Sequence, residues 1–235
     1  MTLRNCISPG SRHLRLGRPS VSAMVAAVAL AGLAVASDAL ALTINNCDIR
    51  IGTLCNRAEL SGAKLAGSGL ALSSFVRSDL SQADLSEADL HSANFRGANL
   101  RQANLRDALM YDIDLERADL RDADLRGASL VDSFLENADF RGADLRGADM
   151  RGARLWGAQL ENARLDGAKL QRVNFGAAKL AGATFEGADL RGAQFEDANL
   201  AGADLRGARI DASTALGRAN VEGCIGCPAA VGRKP

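Results

Sequence analysis

Cysteine is the reactive residue whose spacing stands out in this sequence. Of five cysteines, Cys6 lies in an N-terminal leader, Cys47 and Cys55 precede a long central segment, and Cys224 and Cys227 follow it. The last two are separated by Ile-Gly, which is the CxxC spacing of thiol–disulfide proteins. Redox-active motifs of this kind place the first Cys at a helix start within a βαβ unit, and the surrounding sequence does not supply that context. We therefore favour structural disulfides and keep redox chemistry as an alternative.

Histidines and carboxylates do not assemble into a recognisable catalytic site. The chain has two histidines, His13 in the leader and His91 in the central segment. One remaining His cannot form a multi-His metal site, and no Ser/His/Asp or Cys/His arrangement follows from it. The carboxylates are numerous but regularly spread, without the enclosed pocket that shifts a pKa toward acid or base catalysis. The sequence predicts no enzymatic activity, no cofactor and no metal site.

The segment 1–41 has the features of an export signal. Arginines open the segment, an apolar run covers 21–36, and Ala39-Leu40-Ala41 offers a small-x-small cleavage site. Because Asp38 ends the apolar run short of the roughly 20 residues that span a bilayer, we predict cleavage rather than a retained anchor. The mature protein would then be periplasmic or secreted and would meet the membrane only transiently, through its signal sequence.

The charge balance argues against nucleic acid as a partner. The chain has 28 Lys+Arg and 28 Asp+Glu, and residues 1–41 contain four Arg and one Asp, which leaves 24 positive and 27 negative side chains and a charge of −3. A near-neutral protein of this kind is neither a nucleic-acid binder by bulk charge nor a polyanion.

An apolar residue recurs at every fifth position throughout residues 58–212. The 31 centres run from Leu60 to Ile210 and comprise 22 Leu, 6 Phe, 2 Met and 1 Ile, and Ala lies two residues before the centre in 25 repeats. Neither an α-helix nor a straight strand returns to the same face after five residues. The chain must therefore turn once per repeat for each centre to face inward, with the small residue beside it.

Glycine marks the corner of the repeat. It occupies the second position after the centre in 14 repeats, where a tight turn often needs positive φ. The resulting A(D/N)LRG pattern, as in Ala143-Asp144-Leu145-Arg146-Gly147, resembles the signature of the pentapeptide-repeat family, and the resemblance covers the whole of 58–212. It implies an all-β fold, a right-handed quadrilateral parallel β-helix with four repeats per coil. Nearly eight coils, stacked about 4.8 Å apart, would form a rod roughly 35–40 Å long.

The implied rod bears on the cysteines. Four cysteines in an exported chain favour disulfides, and three pairings are open on paper. The rod would separate Cys47 and Cys55 from Cys224 and Cys227 by tens of ångströms, whereas a disulfide needs Cα atoms within about 7 Å. The local pairs Cys47–Cys55 and Cys224–Cys227 are therefore expected, each closing one end. A four-cysteine zinc site fails on the same distance, unless two molecules meet end to end.

The segments that flank the repeats are predicted to cap the rod. Residues 42–57 depart from the register, because Leu54 and Leu60 are six residues apart, and we interpret them as an irregular N-terminal cap over the open strand edge. Beyond the last repeat the apolar residues resume one position late, at Leu216 and Val221. Residues 213–235 are interpreted as a C-terminal cap and tail.

The outward positions beside the centre carry opposite charges. Asp or Asn precedes the centre in 16 repeats and Arg follows it in 10. With four repeats per coil, equivalent residues stack, as Arg121 and Arg141 would beside Asp119 and Asp139. Like charges about 4.8 Å apart repel by roughly 0.9 kcal/mol in water, and the adjacent carboxylates offset much of this. We interpret these columns as a solvated, neutralised surface, with polyanion binding as the alternative.

An interaction surface is predicted where the outward positions stop being polar. Leu109 and Tyr111 flank one centre, and Val131 falls four repeats, or one coil, above Tyr111. Phe134 and Trp156 occupy outward positions on the adjacent face, and the chain has no other Trp. Aromatic residues are favoured in interface cores, although scattered exposed apolar residues are normal, so both interpretations stay open.

The sequence thus favours a non-enzymatic, exported protein-binding or structural scaffold, whose partner is an unidentified protein or a second copy in a homodimer. The first alternative comes from the quinolone-resistance members of the family, which resemble DNA in shape and negative charge and act on DNA gyrase. This chain shares only the repeat with them, and its alternating Asp and Arg and its export signal argue against that role. The second alternative is a thiol–disulfide protein that uses the C-terminal CxxC.

Overall fold

The computed structural model describes residues 42–228. The predicted signal peptide, residues 1–41, and the end of the tail, residues 229–235, lie outside the described range. Within that range, nothing forms a helix long and apolar enough to cross a lipid bilayer.

A short β-hairpin opens the described chain. Strand β1 (Leu42–Ile44) pairs antiparallel with strand β2 (Cys47–Ile49). The two connecting residues, Asn45 and Asn46, have φ values of 48° and 62°. A two-residue hairpin turn of type I′ needs positive φ at both positions, and asparagine tolerates it better than most residues. The sequence therefore favours a hairpin at this point.

After the hairpin the chain coils into a four-sided parallel β-helix. Each repeat contributes one bridging residue, the one before the centre, and 28 successive bridges within 54–209 join equivalent positions four repeats apart, as Asp119 is joined to Asp139. Each coil therefore has four sides. The Leu120 amide donates to the Asp139 carbonyl of the next coil (2.7 Å), and the Asp139 amide donates back to the Ala118 carbonyl (2.9 Å). Because each side contributes only one bridging residue, a single coil is not stable alone and depends on hydrogen bonds to the coils beside it.

The interior of the coil is filled by the centres and their small neighbours. Centres throughout residues 60–205 are at most 2% exposed. Phenylalanine rings on consecutive coils stack, with centroids 4.8 Å apart for Phe75 and Phe95 and 5.0 Å apart for Phe175 and Phe195. Because this spacing is close to the distance between hydrogen-bonded strands, the same geometry serves the ring contacts and the backbone ladder.

Serine replaces alanine at inner positions where its hydroxyl finds an acceptor. The Ser78 hydroxyl donates to the Cys55 carbonyl (2.6 Å), and the Ser133 hydroxyl donates to the Met110 carbonyl (2.8 Å). Both serines are at most 1% exposed. A buried hydroxyl without a partner would be costly, so these bonds explain why Ser is tolerated inside the coil.

Every corner needs a residue in the left-handed conformation. All 31 corner positions within residues 57–207 have positive φ, and 17 of them carry a side chain, as do Glu87 (57°) and Arg117 (59°). The next amide donates to the carbonyl of the centre, as from Ala148 to Leu145 (3.1 Å), so the corner is a type II β-turn. The left-handed conformation costs a residue with a Cβ atom about 1–2 kcal/mol. Gly therefore recurs there for a conformational reason.

The coil register begins earlier than the leucine spacing indicates. Cys55 lies at a centre position and is 4% exposed, whereas Leu54 is 80% exposed and bridges to Ser74 of the next coil. The leucine spacing alone predicts an irregular cap over residues 42–57, because Leu54 is six residues from the next Leu centre. In the structure a cysteine fills the inner position and the leucine faces outward.

The coil continues at the C-terminal end after a one-residue insertion. Each of the last three bridges spans one position more than the bridges before it, and the final one joins Asp204 to Ile225. Leu216 and Val221 pack against the core from this shifted register. The delay of one position in the apolar pattern thus reflects a change of register within a continuing coil.

Each end of the described coil carries a disulfide. Cys47 is joined to Cys55 with a Cα–Cα distance of 5.4 Å, and Cys224 is joined to Cys227 with a distance of 5.8 Å. These are the local pairs that the rod geometry favours. The first connects the hairpin to the first coil, and the second closes the turn around the last bridge.

Replacement of Gly147 by Ala tests the corner alone. Gly147 has a φ of 69°, and an added Cβ would meet nothing within 4 Å, so the change strains only the backbone. We expect the free energy of unfolding, measured by urea titration with circular dichroism, to fall by about 1 kcal/mol. Gly69→Ala is the matched control, because Gly69 lies outside the left-handed region and an added Cβ there would lie 3.7 Å from Ile51 Cγ1, an ordinary contact. An equal loss in both variants would contradict the corner argument.

Candidate interaction surface

Asp and Arg on the two sides of one centre bind each other. Asp144 accepts the backbone amide of Arg146 (3.3 Å), its Nε (2.7 Å) and its Nη2 (2.6 Å). The same two-point side-chain pairing occurs in seven repeats, Asp119–Arg121, Asp124–Arg126, Asp139–Arg141, Asp144–Arg146, Asp149–Arg151, Asp189–Arg191 and Asp204–Arg206. The charges are therefore neutralised mainly within one repeat, and the carboxylate also caps the amide that enters the corner.

Asp189 is the most enclosed member of this set. It is 8% exposed, and its carboxylate accepts Nε and Nη2 of Arg191 (2.8 and 2.7 Å) and Nε2 of Gln171 (2.8 Å). Arg209 lies 3.3 Å away on the next coil. The hydrogen bonds from Arg191 lower the pKa of Asp189 from 3.8 to about 2, against the opposing effect of burial. This carboxylate stays ionised and cannot act as a general acid near neutral pH.

The described residues offer little else that could do chemistry. Among residues 42–228, no group of three or more His, Cys, Asp or Glu side chains is arranged to hold a metal ion. Cys224 and Cys227 are joined to each other. The same range contains no helix, so the helix start that lowers the pKa of a redox-active cysteine does not occur beside them.

Apolar side chains gather along one edge of the coil. Tyr111 and Val131 occupy equivalent positions on consecutive coils, and His91 stacks on Tyr111 with centroids 4.8 Å apart and rings inclined by 6°. Of seven large exposed apolar side chains in the described residues, four lie on this edge. We call it the apolar corner, formed by Ile51, Leu72, His91, Leu109, Tyr111 and Val131.

The backbone ladder holds the apolar corner together. The Leu72 amide donates to the His91 carbonyl (3.0 Å), and the Ser92 amide donates to the Tyr111 carbonyl (3.0 Å). The Asp112 amide continues the ladder to Val131 (2.9 Å). The side chains at this edge are consequently presented by hydrogen-bonded backbone on consecutive coils.

Phe134 and Trp156 lie on the neighbouring face and are partly covered by their own chain. The Arg154 guanidinium carbon is 4.7 Å from the centroid of the Phe134 ring, a cation–π contact. Trp156 is 47% exposed and its ring lies over Gly176 of the next coil, where an added Cβ would overlap Cε3 and Cζ3 of the indole. The five residues of the predicted surface therefore form two groups, Leu109, Tyr111 and Val131 at the corner and Phe134 and Trp156 beside it.

Three members of the apolar corner escaped the sequence reasoning. Ile51 is 64% exposed and Leu72 62% exposed, and His91 contributes a ring to the stack. A step of four repeats back from Tyr111 reaches position 91, and two further steps reach position 51. That step reaches His91 and Ile51, two of the three residues. Ile51 is overlooked when residues 42–57 are interpreted as an irregular cap.

Four repeats form one coil of this structure, and each repeat buries one large apolar residue. A fold built in this way is a repeat solenoid. The family model for pentapeptide repeats matches in eight copies distributed over residues 53–214. This chain belongs to the pentapeptide-repeat family, which confirms the resemblance seen in its sequence.

Solved structures of similar proteins include a trypsin-treated form of QnrB1, a plasmid-mediated fluoroquinolone resistance protein. It is 27% identical over 75% of this chain and 88% of its own, with a TM-score of 0.59. HetL, a pentapeptide repeat protein involved in heterocyst differentiation regulation in the cyanobacterium Nostoc sp. strain PCC 7120, is 35% identical over 73% of this chain and 88% of its own, with a TM-score of 0.42. Comparison with curated protein sequences gave no match.

The pairing of Asp189 with Arg191 predicts a specific acid sensitivity. The pKa of Asp189 is lower in the folded state, so its contribution to stability is complete above about pH 4 and is lost as the pH falls to about 2. Carboxyl-carbon NMR should show Asp189 titrating near pH 2. Arg191→Gln should move that titration toward the ordinary value of 3.8, because the hydrogen bonds that favour the ionised form are removed.

The matched control for this titration is Arg206→Gln. Arg206 makes the same pairing with Asp204 in another repeat. The Arg206→Gln variant should leave the pH at which Asp189 titrates unchanged. A titration of Asp189 near pH 4 in the unmodified protein would contradict the assigned pairing.

Proposed function

We propose that this protein is a non-enzymatic, exported scaffold that binds a protein partner through the apolar corner. The observation that carries the proposal is the alignment of exposed apolar side chains along one edge of a rod that elsewhere carries paired Asp and Arg side chains in seven repeats. In this proposal the coil is right-handed, contains nearly eight turns, and acts in the periplasm or outside the cell after cleavage of residues 1–41.

The composition of the apolar corner supports an interface. Leu109 and Tyr111 are 47% and 42% exposed, and Ile51 and Leu72 extend the strip toward the N-terminus, three and two coils away. Polar groups border this strip, including Ser92, whose hydroxyl donates to Asp112 (3.1 Å). An apolar centre with a polar rim is the usual anatomy of protein–protein interfaces, and tyrosine is favoured in their cores.

The electrostatics support a binding rather than a catalytic role. Carboxylates such as Asp144 and Asp189 are held ionised by their arginine partners, and their pKa values are lowered. General acid catalysis near neutral pH needs the opposite shift. The paired charges serve the solubility and register of the coil.

Paired substitutions at equivalent backbone positions test the proposed surface. Leu72→Ser with Tyr111→Ser should abolish capture of a partner from a periplasmic extract, or the dimer in a sizing experiment, because the apolar area is lost. Gln82→Ser with Arg101→Ser changes the same two repeat positions on another side, where Gln82 has a φ of 58° against 59° for Leu72. This control variant should still capture the partner and should keep the mass of the dimer. Unchanged partners and mass in the first variant would exclude the apolar corner as the interface.

A gyrase-directed regulator is the second candidate, and the similarity to QnrB1 favours it. That protein confers fluoroquinolone resistance and matches this chain over 75% of its length. N-terminal sequencing of the protein from fractionated cells, with a supercoiling assay of the purified rod, separates the two candidates. The scaffold proposal expects a processed N-terminus outside the cytoplasm and no effect on gyrase. An intact N-terminus in the cytoplasm together with gyrase inhibition would replace it with the second candidate.

A further inference from the structure

An open cleft of about 580 Å³ lies on the first coils of the rod, at a different corner from the apolar corner. Arg57, Arg77 and Arg117 occupy equivalent left-handed corner positions there, with φ values of 58°, 56° and 59°. The coil between Arg77 and Arg117 has Gly97 at this position. The missing side chain opens the cleft between the arginines. We call this feature the arginine cleft, formed by Asn56, Arg57, Arg77, Arg96, Gly97 and Arg117, with Val76 and the carboxylate of Glu116 also in its lining.

In the described structure, two arginines of the cleft lack the carboxylate partner that the seven Asp–Arg pairs provide on other sides of the rod. Among residues 42–228, no carboxylate oxygen lies within 4.0 Å of the Arg57 or Arg77 guanidinium groups. Arg96 binds Asp114 (3.3 Å) and Glu116, and Arg117 shares Glu116 (3.5 Å). Four arginines therefore face two carboxylates. The two arginines without a carboxylate partner in the described range, Arg57 and Arg77, lie on the first two coils.

The cause of this imbalance is visible in the repeat. On the sides described above, Asp precedes the centre and binds the Arg that follows it. On this side the residues before the centre are Leu54, Ser74 and Asn94, which carry no charge. Arg57 and Arg77 also sit one position further from the centre, at the corner itself. Within the described part of the chain, these two arginines have no carboxylate partner in their own repeat.

A fixed amide borders the unpaired arginines. Asn56 Oδ1 accepts hydrogen bonds from the Ser74 hydroxyl (2.6 Å) and the Val76 amide (2.9 Å). These two bonds determine the orientation of the amide and leave its NH2 group as a donor. Within the described residues that NH2 group has no acceptor. The cleft thus combines guanidinium and amide donors, which match the acceptor oxygens of an anion.

We propose that the arginine cleft binds a small ligand that carries two or more oxyanion groups, either phosphate or carboxylate. Guanidinium groups bind both kinds of oxyanion through two parallel hydrogen bonds. The two arginines that flank Gly97 are two coils, or about 10 Å, apart, so a single oxyanion cannot reach all of them. The protein as a whole is near neutral, so bulk charge does not attract anions and local geometry must account for binding.

Calorimetric titration of the purified protein with tripolyphosphate and, separately, with citrate tests the proposal. Arg57→Gln with Arg77→Gln should weaken binding at least tenfold. The control, Arg101→Gln with Arg106→Gln, removes the same charge from two arginines that also lack a carboxylate within 4.0 Å in the described residues, and should change the affinity less than twofold. A preference for tripolyphosphate or for citrate assigns the ligand class as phosphate or carboxylate.

A third variant separates shape from charge. Gly97→Asn keeps the net charge, is tolerated at positive φ, and places a side chain in the gap, where a Cβ would lie 3.6 Å from Arg77 Cγ. It should weaken binding of the preferred anion several-fold with only a small loss of thermal stability, because asparagine adopts the left-handed conformation more readily than other residues with a Cβ atom. Equal weakening in both arginine pairs, or no binding of either anion, would overturn the proposal.

Discussion

A left-handed residue at every fifth position is the constraint on which the rest of this structure depends. It turns the chain so that each centre faces the interior again, and it brings equivalent positions of consecutive coils into hydrogen-bonding distance. The conformation is unfavourable for the 17 corner residues that have a Cβ atom. It persists because the ladder and the buried centres of adjacent coils hold it in place, which is how a solenoid with one bridging residue per side remains stable.

Since the interior is uniform, the outward residues account for the differences between the sides of the rod. Where Asp precedes and Arg follows the centre, the two side chains neutralise each other, and the surface there is polar without net charge. Where these positions change, two distinct features arise. Tyr111 and its stacked neighbours create an apolar edge, whereas Arg57 and Arg77 lack carboxylate partners among the described residues and create a basic cleft. Both features lie toward the N-terminal end of the described coil.

Much of this fold was predictable, because one period governs it. Spacing by five located every centre within residues 60–205, and a step of four repeats placed Val131 over Tyr111. The entry to the coil was not predictable from leucine spacing, because Cys55 fills an inner position and Leu54 an outer one. The arginine cleft also escaped, since it depends on which side chains reach each other rather than on a repeated residue type. The contact between Trp156 and its neighbouring coil was missed for the same reason.

The covalent closure of both ends bears on how the coil comes apart. A stack of coils loses order most readily from its termini, where a coil has only one neighbour. Here the first coil is tied to the hairpin through Cys47 and Cys55, and the last bridge is enclosed by Cys224 and Cys227. Both bonds are local, eight and three residues apart in sequence, so each restricts the disordered conformations of one terminal segment and makes its detachment less favourable. Reduction removes this restriction, so fraying of the two extremities becomes more favourable.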